Sequence, residues 1–110
     1  MHWKDKLGIM NVIRVKFRHS LPVRDVMKRA ISTTEFGGRG GKRYVCNMCK
    51  RAFEPKDVQV DHIDPVVPYG KIKKEMALQE FIDRTYCSER NLQVLCKKCH
   101  HSKTHSKQPF

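Results

Sequence analysis

The chain has 110 residues, 39% of them hydrophobic and 31% charged, and a formal net charge of +12 from 23 Lys and Arg against 11 Asp and Glu. One small domain of this length buries only about two thirds of its unfolded surface and needs an additional staple. The charge excess is too large for solubility alone and points to a polyanionic partner, nucleic acid first, while the lack of a long apolar run excludes a bilayer span.

Lys4, Asp5 and Lys6 stand where a leader would place its apolar stretch, so the chain reads as soluble and cytoplasmic. The charge is polarised: residues 1 to 50 carry 12 basic and 3 acidic side chains, residues 51 to 110 carry 11 and 8. Glu54, Asp57, Asp61 and Asp64 cluster in the second half, and basic flanks around a local acidic spot suit a phosphate backbone drawn towards a bound cation.

In chain order, "VIRVKFR" (12–18) alternates Ile13, Val15 and Phe17 with Arg14, Lys16 and Arg18, which predicts a strand with one apolar and one basic face. That basic face is either solvated or a rail along a nucleic-acid backbone. Val23, Val26, Met27, Ala30 and Ile31 recur at helical spacing, with Ser20 as N-cap and Pro22 in the first turn, predicting a helix over 21–32. "GGRGGK" (37–42) predicts a loop whose Arg39 can reach a phosphate or simply link its neighbours. A cysteine knuckle at "CNMC" follows, then a short strand over 58–62, a proline-rich loop over 63–71, a helix from Ile72 to about residue 84, and a strand over 91–95. A short basic helix from about residue 97 stops before Pro109; its Lys98 and Lys103 are candidate phosphate contacts. Residues 1–43 read as a basic N-terminal strand, helix and Gly-rich loop, and residues 44–110 as the core, in one compact domain.

Four of the five cysteines form the pairs Cys46–Cys49 and Cys96–Cys99, a pattern that in a reducing compartment points to zinc rather than disulfides. A CxxC turn offers two sulfurs to a tetrahedral ion and leaves room for a second pair, so one Zn²⁺ would clamp the second half of the chain and supply the staple. Cys87 reads as a small buried side chain.

Together "CNMC", "VDHIDP", "NLQVLC" and "CKKCHHSKT" resemble the HNH endonuclease family in its cysteine-bearing branch, over roughly residues 44 to 105. The resemblance implies an α+β fold with a ββα-metal (His-Me finger) core beside the zinc knuckles. It implies His62 as general base on a water, Asn91 as holder of the loop that orients the base, and Asp61 and His100 as ligands of a catalytic divalent metal. Thr104 stands where some members place a further histidine. Water and substrate phosphate would then complete the shell, which suits Mg²⁺ or Mn²⁺ better than Zn²⁺ or Ni²⁺. Small free-standing members are frequent in phage genomes, some of them beside the packaging machinery, which makes that machinery a candidate partner by resemblance and the host cytoplasm the compartment.

Those residue types suit phosphodiester hydrolysis, which needs an activated water and a cation on the scissile phosphate. Asp61 and His62, adjacent on a strand, point to opposite sides unless the strand ends or bulges there. The expected activity is metal-dependent DNA cleavage, by nicking or double-strand cutting. The alternative is a non-catalytic zinc-knuckle protein that only binds nucleic acid, and an enzyme acting only on RNA fits the charge equally.

Overall fold

The computed structural model describes residues 1–36, 41–68 and 70–106. The chain is mixed α+β: α1 (Trp3–Phe17), α2 (Leu21–Arg29), β1 (Ile31–Phe36), β2 (Lys42–Val45), β3 (Ala52–Phe53), β4 (Val58–His62), α3 (Leu78–Thr85), β5 (Leu92–Cys96) and α4 (Lys97–Ser106). Strands β1, β2 and β3 form one antiparallel sheet in that order, and β4 and β5 form a second antiparallel pair. Among the described residues no helix is long and apolar enough to cross a membrane.

The N-terminal segment corrects the strand expected at 12–18: it is the last two turns of α1. Over seven residues the two periods coincide, because Ile13 and Phe17 lie four apart and satisfy either. The longer window decides it. Leu7, Met10 and Ile13 stack on one helical face against Met76, Phe81 and Leu78, and Phe17 continues that face into a second cluster with Val26, Val58, Leu92 and Val94. On a strand Arg14, Lys16 and Arg18 would share one face; on the helix Arg14 and Arg18 share a face and Lys16 points away.

Helix α2 starts after Ser20, whose backbone is extended, with Pro22 in the first turn as expected. It ends at Arg29, three residues early, and "ISTTEF" leaves as β1. The β-branched Ile31, Thr33 and Thr34 favour that choice, and the Ala30 carbonyl accepts from Val45 N–H at 2.7 Å, tying the exit to β2. The helix expected from Ile72 resolves into a 3-10 turn over Lys73–Glu75 followed by α3. Arg39 and the stretch 37–40 lie outside the described residues.

The pair β4–β5 forms close to its expected bounds and in unbroken register, from Val58 opposite Cys96 to His62 opposite Leu92. Its inner face carries Val58, Val94 and Leu92 into the core. Helix α4 follows β5 with no connecting residue, so the two zinc-type cysteines of "CKKC" sit at a strand end and in a helix first turn.

Candidate functional site

Two clusters of chemistry-bearing side chains sit along β4–β5. In the first, the sulfurs of Cys46, Cys49, Cys96 and Cys99 all lie within 4.8 Å of one another, with Cys49 Sγ 4.0 Å from Cys96 Sγ. Sulfurs at about 2.3 Å from a tetrahedral Zn²⁺ lie about 3.8 Å apart, so the set fits one zinc ion. The knuckle closes locally: Lys50 N–H donates to Cys46 O at 2.9 Å, and Cys46 N–H to Arg51 O at 2.9 Å. Lys50 takes the left-handed backbone conformation that the turn requires (φ 63°). Burial raises the Cys46 thiol, but the N–H groups of Cys49, Cys96 and Met48 directed at its sulfur outweigh that and bring it down to about 6. Cys99 is pushed up to about 12, first by its contact with the Cys96 sulfur, then by burial and the other two cysteines. Four crowded thiols that lose the first proton easily and hold the last one firmly have the donor chemistry of a cation site.

The second cluster lies at the far end of β4. Asp61 and His62 are on opposite faces of a strand that stays regular through His62 and bends at residues 63–64. Both nevertheless line one cleft of about 830 Å³, which opens over the strand end and also takes in His100, Thr104, Arg14, Arg18 and Lys73. Asp61 Oδ1 is 3.5 Å from His100 Nε2, while Asp61 Oδ2 accepts from Gln93 Nε2 at 2.9 Å and from the Lys103 ammonium. That spacing is one that two ligand atoms of a divalent ion adopt, about 3.0 to 3.5 Å, and it is equally that of a His–Asp ion pair.

The His62 ring sits between a backbone acceptor and an aromatic: its Nε2 lies 2.9 Å from Thr85 O, and its centroid is 5.1 Å from that of Phe17. A carbonyl only accepts, so Nε2 carries the hydrogen and Nδ1 of the neutral ring keeps the lone pair. Asn91 bridges to the residues after His62. Its Oδ1 accepts from Asp64 N–H at 2.9 Å, its Nδ2 donates to Asp64 O at 3.3 Å, and its carbonyl accepts from Ile63 N–H at 2.7 Å.

The structure thus brings together Asp61, His62, Asn91 and His100, and groups the four cysteines beside them. Arg14 from α1 and Arg18 just after its end join the cleft, whereas Lys16 and Lys98 are exposed elsewhere. Lys103, expected to face a phosphate, turns inward onto Asp61 and onto the carbonyls of His62 (2.8 Å) and Ile63 (3.3 Å). Sequence reasoning missed four contributors. Thr85 acts through a carbonyl, which no side chain advertises. Lys73 lines the cleft with its ammonium pushed down by burial and then by the Arg14 charge. Arg84 pins the loop after His62 through Val66 O (2.8 Å), Pro65 O (2.7 Å) and the Asp64 carboxylate (3.2 Å). Gln93 holds Asp61 from the neighbouring strand, and its polar position opposite Asp61 in the strand register was the available signal.

Comparison with protein-family models, with curated proteins and with solved structures returns no match for this chain.

Proposed function

We propose that the protein is a metal-dependent endonuclease of the HNH type that hydrolyses phosphodiester bonds in DNA, with β4, β5 and α4 as its ββα-metal unit and one structural Zn²⁺ in the four-cysteine cluster. The observation that carries the reading is the convergence at the end of β4: Asp61 Oδ1 and His100 Nε2 3.5 Å apart, with a tautomer-fixed His62 in the same cleft. A divalent ion such as Mg²⁺ or Mn²⁺ would be held by Asp61 and His100, and it would supply charge stabilisation on the scissile phosphate. His62 accepts a proton from water at Nδ1, while the Thr85 carbonyl holds the opposite nitrogen and stabilises the imidazolium that forms. Asn91 and Arg84 fix the loop after His62, so the ring keeps its aim. Arg14, Arg18 and Lys73 line the cleft as a cationic wall that draws in the backbone.

One observation favours a second reading, a zinc-knuckle protein that binds nucleic acid without cutting it. The Lys103 ammonium already neutralises the Asp61 carboxylate, as a purely structural strand end would require. Supercoiled plasmid incubated with zinc-loaded protein across Mg²⁺, Mn²⁺, Ni²⁺ and Zn²⁺ separates the two. Chelator-sensitive conversion to nicked or linear DNA supports the nuclease, and DNA binding without cleavage under every metal supports the second reading. A parallel RNA substrate reports which nucleic acid is cut.

A further inference from the structure

A line of side chains connects the two clusters. Lys50 Nζ donates to Asn47 Oδ1 (3.1 Å), Asn47 Nδ2 donates to Gln93 Oε1 (2.8 Å), and Gln93 Nε2 donates to Asp61 Oδ2 (2.9 Å). Asn47 lies inside the cysteine knuckle, between Cys46 and Cys49, and its N–H also bonds Val94 O at 2.8 Å. Gln93 is the cross-strand partner of Asp61. The direction of this line is fixed at both ends, because an ammonium only donates and a carboxylate only accepts. Each amide between them passes one bond along, and turning either one over would set like groups against each other.

We propose that Asn47 and Gln93 are positioning residues that transmit the geometry of the four-cysteine knuckle to Asp61. They load Oδ2 and leave Oδ1 on the His100 side for the divalent ion. The inference rests on the reading of Asp61 and His100 as ligands of that ion. Lys103 bears on the same Oδ2, so the carboxylate is held by two donors on one oxygen and presents the other. Ligands of metal sites are commonly oriented by such outer partners, whose loss weakens binding by about 10- to 100-fold.

The test is Mn²⁺ binding to the zinc-loaded full chain, read by electron paramagnetic resonance of free Mn²⁺, with zinc content and thermal melting alongside. Gln93→Met keeps the side-chain length but loses the donor, and it should weaken Mn²⁺ by about 10- to 100-fold. Asn47→Asp is the sharper arm because the sign discriminates. Its added negative charge alone would tighten Mn²⁺. In the relay, the carboxylate introduced at position 47 would instead capture the Gln93 amide hydrogens and turn Oε1 towards Asp61, so binding weakens by about tenfold. In the Gln93→Met background Asn47→Asp should weaken nothing further.

Wild-type affinity in both single variants, or tighter binding by Asn47→Asp, overturns the relay while leaving the metal site standing. Binding by wild type no better than by Asp61→Ala overturns the metal site itself, and the relay's purpose with it. Where Gln93→Met fails to hold zinc, the Gln93 side-chain amide signal in ¹⁵N spectra decides. It should move in Asn47→Ala and on adding diamagnetic Mg²⁺ to wild type, and a signal indifferent to both overturns the relay.

Discussion

Replacing Met10 by Ala tests whether α1 is part of the fold that carries the cleft or a basic arm laid against it. Met10 has no exposed surface and packs with Met76 and Phe81 under Leu7, Ile13 and Leu78. Full burial of such a side chain is worth about 1.5–3 kcal/mol. The cavity left by truncation adds to that loss, so Met10→Ala should destabilise the chain by about 2–5 kcal/mol. Val15 is the control, since the strand expected from the sequence would bury it beside Ile13 and Phe17, whereas the helix leaves it 44% exposed. Val15→Ala should therefore change stability by no more than about 0.5 kcal/mol. Urea unfolding of the zinc-loaded protein, followed by circular dichroism, measures both. A costly Val15→Ala with a neutral Met10→Ala would refute the helical packing, and with it the placement of Arg14 and Arg18 on the cleft wall.

Zinc removal should unfold the chain, because binding to small structural sites contributes on the order of 10 kcal/mol; a protein that keeps its circular dichroism after complete chelation would contradict this. Zinc uptake at pH 7 should release protons, one of them from Cys99 at about 12, with little coming from Cys46 at about 6, which is already mostly thiolate. Zinc affinity therefore falls as the pH is lowered. Calorimetric enthalpies that do not vary with buffer ionisation would show the thiols were ionised beforehand. Asn91→Ala removes two bonds to Asp64 and should lower stability by about 1–2 kcal/mol and slow cleavage, with Asn91→Asp recovering part through the retained acceptor to Asp64 N–H. Arg14→Ala and Lys73→Ala should each reduce the steepness of the salt dependence of DNA binding by about one phosphate contact, and unchanged slopes would place the backbone elsewhere.

The parts of the molecule legible in the sequence are those whose signal is local. The CxxC spacing announced the four-cysteine cluster, and alternation in "DVQVDH" and "NLQVLC" announced β4 and β5. Helix α1 was not legible from seven residues because Ile13 and Phe17 fit both periods, and only distant contacts separate the two: Ile13 packs with the Met76 and Phe81 cluster, and Phe17 with Val58, Leu92 and Val94. Strand β1 followed a helical stripe that included Ile31, and tertiary pairing with β2 overrode it. At the site, Asp61, His62, Asn91 and His100 carried recognisable side-chain chemistry. Their supports did not: Thr85 contributes a carbonyl, and Asn47 and Gln93 meet across 46 positions as ordinary polar residues.

In the proposed reaction, cleavage would depend most directly on His62. In His62→Ala the Thr85 carbonyl bond and the Phe17 ring contact are lost, at a stability loss of about 1–3 kcal/mol that the zinc-clamped fold should withstand. A general base contributes about 10²- to 10⁴-fold, so metal-dependent plasmid cleavage by His62→Ala should fall by that factor, with zinc content and DNA affinity unchanged. Cleavage at the wild-type rate by this variant would contradict the central claim.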